Sequence, residues 1–288
     1  MRTALAALLL AAAPPAAAQD ADTRRPPLFV IEDDDSRVVL LGSIHVLPGD
    51  ALPLPAHVEE AYAEAEAIAF ELDLDLAQAG AAGMMQAATD EATLATALTD
   101  AQRAEVDAAL AGLGVPAGAF NQFEPWFAGL TYGLLALQQS GLPIEAGGVD
   151  AHYFGRAKAD GKERVAFETM ELQTAAFDDL STEAQVAFLM EGVSMDKDST
   201  AALFGHMVAA WAAGEDDRLA ALMAEGMSQP EVFDALLVAR NRAWIPQIEA
   251  LLAREGEDAL VVVGAGHLVG EQSVVDMLRE AGHTVTRL

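Results

Sequence analysis

The segment Val38-Val39-Leu40-Leu41-Gly42-Ser43-Ile44-His45 decides the fold. It joins a run of β-branched and leucine side chains, typical of a strand buried on both faces, to a Gly-x-x-His sequence. The same pattern recurs near the other end of the chain, in Ala259-Leu260-Val261-Val262-Val263-Gly264-Ala265-Gly266-His267. Strands of this kind occur in parallel sheets covered by helices on both faces, so the two runs predict an α/β fold.

Both histidines follow the carboxyl end of a predicted strand. In an open α/β sheet, ligands bind in the crevice beyond the carboxyl ends of the strands. We therefore expect His45 and His267 to face one site, provided that the two strands are neighbours in the sheet.

Two further strands end in a carboxylate. Glu71 closes the apolar run 67–72, and Glu168 closes the run 164–168. The order along the chain is His, Glu, Glu, His, and all four groups are expected at the same edge of the sheet.

The remaining pattern predicts a central, mostly parallel sheet made of two β-α-β halves. Large helical insertions are expected at about 76–145 and 181–253, where the sequence is rich in Ala, Leu and Met. The other predicted elements are a hairpin of strands 28–31 and 37–41, a helix at 56–67, a short helix at 153–160, a long helix at 232–253 and a closing unit of strand 259–263, helix 272–281 and strand 283–287.

Composition and charge limit the class of protein. The chain has 288 residues, of which 52% are hydrophobic, which is enough for one large core. Its formal net charge is −29. Because such a surface repels phosphate backbones and anionic headgroups, nucleic-acid and membrane-surface partners are not expected.

Residues 1–18 resemble a secretory signal peptide. Arg2 precedes the apolar run 4–13, and the small residues 16–18 form a cleavage site. Cleavage near Ala18 would leave a single domain, 19–288, that is periplasmic or secreted and not inserted in a membrane; an uncleaved N-terminal anchor is the alternative. The absence of cysteine excludes disulfides and a lipidated cysteine.

Two imidazoles and one or two carboxylates form a ligand set that suits a divalent metal such as Mn, Fe, Co or Zn. His45 and His267 are the predicted nitrogen ligands, and Glu71 is the predicted third ligand or general base. Glu168 would hold water as a second carboxylate. A metal of this kind lowers the pKa of bound water and polarises a carbonyl, as hydrolysis of an amide or ester requires.

Four alternatives stay open. One histidine could act as general base without a metal, oriented by a glutamate, as in an esterase. Ser43, two residues from His45, could be a nucleophile. Each Gly-x-x-His could merely end a strand. A fourth alternative is a non-catalytic cell-envelope protein that binds peptide or polysaccharide fragments.

The long helix adds Arg240 and Asn241 to the candidate site. Arginine is always charged and binds carboxylates in bidentate geometry, so Arg240 could stabilise developing negative charge or anchor a substrate carboxylate. A surface salt bridge is the alternative role. Pro246 predicts an irregularity in the helix beside these residues.

At these positions the sequence resembles the TraB/GumN family, which is related to the Tiki proteases and the pheromone-shutdown proteins. The resemblance covers residues 28–288. It rests on Leu41-Gly42-Ser43-Ile44-His45-Val46, Phe70-Glu71, Pro125-Trp126, Gly148-Val149-Asp150, Glu168-Thr169-Met170-Glu171-Leu172-Gln173, Arg240-Asn241 and Val263-Gly264-Ala265-Gly266-His267-Leu268-Val269-Gly270.

The resemblance implies an α/β fold of the erythromycin-esterase-like superfamily. Tiki proteases are metal-dependent peptidases that use the paired histidines and a glutamate. By this resemblance His45, Glu71 and His267 would bind the metal, with Glu168, Arg240 and Asn241 as further site residues, and the substrate would be a peptide or another small polymer.

Overall fold

The structure of the protein is a computed structural model. It describes residues 23–48, 52–89, 92–142, 144–146 and 148–288. The predicted signal peptide at 1–18 lies outside these residues.

A six-stranded sheet forms the centre of the molecule. Its strands are β1 (Leu28–Glu32), β2 (Arg37–Ser43), β4 (Ala67–Leu72), β6 (Glu163–Glu168), β7 (Ala259–Gly264) and β8 (Thr286–Arg287), in the spatial order β6-β4-β7-β2-β1-β8. β6, β4, β7 and β2 are parallel, whereas β1 and β8 extend the sheet in antiparallel pairing. The predicted α/β class with a mostly parallel sheet is therefore confirmed.

Helices cover both faces of the sheet. The helices are α1 (Ala56–Glu64), α2 (Leu74–Ala87), α3 (Leu94–Ala97), α4 (Asp100–Gly112), α5 (Pro125–Gln138), α6 (Val149–Asp160), α7 (Met170–Asp178), α8 (Thr182–Ser194), α9 (Lys197–Ala213), α10 (Asp216–Glu225), α11 (Pro230–Phe233), α12 (Ala239–Leu252) and α13 (Val274–Glu280). A two-stranded sheet of β3 (Val46–Pro48) and β5 (Ile144–Ala146) lies outside the main one.

The alternation of side chains along each strand divides the core in two. Val39 and Leu41 of β2 pack with residues of α1, α6 and α9 on one face. Val38 and Leu40 pack with residues of α12 and α13 on the other. A strand buried on both faces needs apolar residues at every position, which is why β2 and β7 appear as continuous apolar runs.

The last predicted β-α-β unit has a different form in the structure. β8 is shorter than predicted and pairs with β1 at the edge of the sheet, antiparallel, not with β7. A crossover of the parallel kind places the returning strand beside or near its predecessor in the same direction. Because β1 is antiparallel to both β2 and β8, β8 runs in the same direction as β7, but β2 and β1 lie between the two strands.

The long helix is irregular upstream of the predicted place. A π-helical segment, Asp234–Val238, lies between α11 and α12, and α12 continues through Pro246. Such segments contain one extra residue per turn and are frequent at functional sites. Arg240 lies two residues after the end of this segment.

No helix within the described part of the chain has the length and apolar character needed to cross a bilayer.

Candidate active site

β2 and β7 are neighbours, so the condition for a shared site is met. Ser43 pairs with Gly264 in parallel register, and both residues end their strands at the same edge. His45 follows two residues after Ser43, and His267 ends a short 3₁₀ turn after Gly264. The two histidines, more than two hundred positions apart in sequence, therefore lie at one edge of the sheet.

The side chains converge on Gly264. A Cβ built on this glycine would lie 3.2 Å from Oε1 of Glu71, 3.4 Å from Nε2 of His45 and 3.5 Å from Cδ2 of His267. The backbone N–H of Gly264 also donates to Oε1 of Glu71 at 2.6 Å. Two imidazoles and a carboxylate thus surround one point, and only glycine leaves that point free.

His267 is held in one tautomer by the helix α12. Asn241 donates through Nδ2 to the carbonyl of Gln272 at 2.9 Å, so its Oδ1 must accept from Nδ1–H of His267, at 2.6 Å. Nε2 of His267 then carries the lone pair. Burial lowers the pKa of His267 to about 3, so the ring is neutral.

Replacing Asn241 with alanine is expected to lower the free energy of unfolding by about 2 kcal/mol, because Nδ1–H of His267 and the Gln272 carbonyl lose their partner inside the protein. Urea unfolding measures this change. Asn121→Ala, in a loop outside the site, is the control and is expected to change stability by less than about 0.5 kcal/mol. Equal effects of the two variants would contradict the assigned network.

His45 is oriented by the start of α6. Its Nδ1 lies 3.2 Å from Oδ1 of Asp150, while 59% of the side chain is exposed to the cleft. Desolvation lowers the pKa of His45, but the contact with Asp150 and the charge of Glu71 outweigh this effect and raise it. Oδ1 of Asp150 makes no hydrogen bond within the described residues, so the carboxylate acts on His45 through its charge, which favours the protonated imidazole.

Glu71 is a buried carboxylate with a stabilised charge. Burial alone would raise the pKa of Glu71, but the charges of His45 and Arg240 and the N–H of Gly264 hold it below its ordinary value. Glu71 is therefore ionised at neutral pH and suits the role of ligand better than that of general acid.

Arg240 lies across the site with every N–H in use. Nε and one NH2 hydrogen bind Glu168, at 2.9 and 2.8 Å, and the other NH2 hydrogen binds Oε2 of Glu71 at 2.7 Å. NH1 donates to the carbonyl of Leu236 at 3.0 Å and lies 3.2 Å from Nε2 of His267. The surface salt bridge considered for Arg240 is wrong, since the side chain is only 16% exposed.

Glu168 holds the arginine. Besides Arg240, its oxygens accept from Nε1 of Trp244 at 3.0 Å and from Nε2 of Gln173 at 3.0 Å. Gln173 also reaches Oε2 of Glu71 at 3.3 Å. With both oxygens bound, Glu168 positions the guanidinium in this structure, and its predicted role of holding water stays a prediction.

A cavity of about 290 Å³ opens on this cluster. Its walls include His45, Glu71, Asp150 and Gln173. The cavity gives a substrate access to His45 and Glu71, whereas His267 is only 4% exposed and lies behind them.

The donor set has the chemistry of a divalent-metal site, because it combines two imidazoles, each with an oxygen atom near Nδ1, with an ionised carboxylate. The donor atoms lie farther apart than in a site that holds a metal ion. Nε2 of His267 lies 3.9 Å from Oε1 of Glu71, and no three His, Asp or Glu side chains in the described ranges are close enough to hold an ion as they stand. His45, Glu71 and His267 therefore stay the predicted metal ligands, and the described arrangement does not by itself form a metal site.

Ser43 makes no side-chain hydrogen bond to a histidine in the described part of the chain. It is 2% exposed, and its Oγ has no hydrogen-bond partner among the described residues. The structure therefore gives no support to Ser43 as a nucleophile.

Sequence reasoning missed the partners that orient the site. Asp150 and Gln173 occur in motifs that carried the family resemblance, but no role was predicted for them. Trp244 lies in the predicted long helix 232–253, and its position four residues after Arg240 places both on one helical face. Its ring lies 4.4 Å from that of His267.

One curated relative matches a short part of the chain. A 50-residue stretch is 48% identical to a protein named metalloprotease TIKI homolog from Amphimedon queenslandica. The match covers 17% of this chain and 10% of that relative. No solved structure matches the chain significantly.

A family model gives much wider coverage. The model of the TraB/PrgY/gumN family matches residues 27–287, which include every side chain of the site described above. The resemblance expected from the motifs is thereby confirmed. This chain belongs to the TraB/PrgY/gumN family.

Proposed function

We propose that this protein is an exported, metal-dependent hydrolase that cleaves a peptide or amide bond at the site around Gly264. One observation carries the proposal. Nε2 of His45 and Oε1 of Glu71 lie within 3.4 Å of the position that a Gly264 side chain would occupy, with His267 beside them. The similarity to a protein named metalloprotease TIKI homolog supports the same class of reaction. Export rests on residues 1–18 alone.

The site residues have two roles, metal binding and orientation of the imidazoles. His45, Glu71 and His267 would hold the metal, which supplies an activated water and polarises the scissile carbonyl. Asp150 and Asn241 orient the two imidazoles through Nδ1. The cavity beside His45 and Glu71 admits the substrate. Since Glu71 stays ionised, its charge also favours the cation.

A metal-independent hydrolase is the second candidate, and a specific observation favours it. Arg240 neutralises Glu71 and lies beside His267 in the structure, so a cation is already present there. In that case His45 and Asp150 would form the proton-transferring pair at the mouth of the cavity. A non-catalytic binding protein would use the same cavity without turnover.

Metal analysis tests the proposal. Protein purified without chelator is expected to contain about one equivalent of Mn, Fe, Co or Zn, and His45→Ala and His267→Ala should each lose it, because three ligands are the usual minimum for a catalytic site. Incubation with a peptide library, followed by mass spectrometry, should show cleavage that chelator abolishes.

His283→Ala is the matched control. His283 pairs with Glu249 at 3.1 Å, outside the site, so this variant should keep both metal and cleavage. Cleavage that survives chelator would favour the metal-independent candidate. Ligand capture without product, unaffected by His45→Ala, would contradict both hydrolases.

A further inference from the structure

Arg240 cannot serve a substrate in its present arrangement. Its five N–H groups are all bound, to Glu168, Glu71, His267 and the Leu236 carbonyl. A guanidinium that stabilises an oxyanion or anchors a carboxylate needs at least one free N–H directed at the substrate. The predicted role of Arg240 therefore requires that some of these contacts be released.

The contacts of Arg240 fall on two sides. On one side lie Glu168, the Leu236 carbonyl and the ring of Trp244, whose centroid is 5.1 Å from the guanidinium carbon. Glu168 alone accepts three hydrogen bonds from the guanidinium, and it is itself fixed by Trp244. This side stays intact if the other side is released.

The other side consists of two candidate metal ligands. NH2 of Arg240 binds Oε2 of Glu71 at 2.7 Å, and NH1 lies 3.2 Å from Nε2 of His267. That nitrogen carries the lone pair a metal would use, because Nδ1 of His267 is committed to Asn241. A dication bound to the same carboxylate and the same nitrogen would meet the guanidinium at close range, where two positive charges repel strongly.

We propose that Arg240 competes with a divalent metal for Glu71 and His267, so that the metal binds only when the guanidinium gives up these two contacts. The inference rests on the proposed metal-dependent function and adds a control of metal affinity to it. Without metal, Arg240 neutralises the charge of Glu71 and keeps Glu71 and His267 in place. Metal binding releases two N–H groups of Arg240 next to the cavity. Those N–H groups would then be free for a substrate oxygen.

Calorimetric titration with Mn²⁺ tests the competition. Arg240→Ala is expected to bind Mn²⁺ at least about tenfold more tightly than the wild type, because loss of a competing charge at contact distance exceeds about 1.4 kcal/mol. Arg164→Gln is the charge-matched control. Arg164 lies on the same strand as Glu168 but pairs with Asp75. Its replacement removes one positive charge and should leave the Mn²⁺ affinity unchanged.

Free guanidinium separates direct competition from a general effect of charge. Millimolar guanidinium chloride should weaken Mn²⁺ binding to Arg240→Ala several-fold, and the same concentration of sodium chloride should not. If the alanine variant fails to fold, Arg240→Lys replaces it, since one ammonium cannot make all these contacts at once. This variant should bind Mn²⁺ more tightly than the wild type.

The outcomes distinguish the two proposals. Mn²⁺ that binds the wild type, with unchanged or weaker affinity in the Arg240 variants, would overturn the competition alone. Guanidinium acting no more strongly than sodium chloride would do the same. Absence of Mn²⁺, Zn²⁺ and Co²⁺ binding to wild type and variants alike would overturn the metal site itself.

Discussion

Replacing Gly148 with alanine is expected to lower the free energy of unfolding by about 3 kcal/mol. A Cβ at this position would overlap the carbonyl oxygen of Ile44 and lie 2.6 Å from the carbonyl carbons of Ile44 and His45. These are backbone atoms, so no side chain can turn away. The hydrogen bonds from Gly148 to the His45 carbonyl, 2.7 Å, and from Val149 to the Ile44 carbonyl, 3.1 Å, would break.

Urea unfolding, followed by circular dichroism, measures this loss. Gly155→Ala is the matched control, because Gly155 lies within α6, the helix that follows Gly148, and a Cβ there has no atom within 4 Å. It is expected to raise stability by about 0.5 to 1 kcal/mol. A Gly148→Ala protein as stable as the wild type would show that the hydrogen bonds of Gly148 and Val149 do not hold the segment 44–45 against the start of α6.

Replacing Gly264 with alanine is expected to abolish metal binding and cleavage with little loss of stability. The methyl group would lie 3.2 Å from Oε1 of Glu71 and 3.4 Å from Nε2 of His45, in the space where their donor atoms converge. Metals bind such donors at about 2.0 to 2.2 Å and cannot share that space with a methyl group. The backbone angles of Gly264, φ −51° and ψ 134°, suit any residue, so no strain is added.

Metal content and peptide cleavage of Gly264→Ala are compared with thermal unfolding of the same sample. Gly133→Ala, in the helix α5, is the control, since its Cβ meets nothing within 4 Å. It should match the wild type in both activity and metal content. Full metal content in Gly264→Ala would place the metal at another site.

The strands of the main sheet were predictable because their sequences carry one clear pattern. β2 and β7 are apolar at every position, and burial on both faces produces that pattern directly. The place of β7 between β2 and β4 was not predictable, since it depends on which crossovers pack best. The pairing of β8 with β1 was not predictable either, because a strand of two residues is too short for its sequence to indicate a partner.

The site was predictable where side chains follow strand ends. His45, Glu71, Glu168 and His267 lie at one edge because parallel strands end together. Their hydrogen bonds were not predictable. Arg240 reaches Glu71 and Glu168 from a helix whose position depends on tertiary packing, and no local pattern encodes that position.

The π-helical segment lets the chain carry an extra residue without turning the helix that follows. A regular α-helix turns by about 100° per residue, so an added residue would rotate everything after it around the axis. A π-helical turn contains one more residue than an α-helical turn, and the segment 234–238 therefore absorbs the extra residue locally. The directions of Arg240, Asn241 and Trp244 consequently do not depend on a regular α-helix upstream of them.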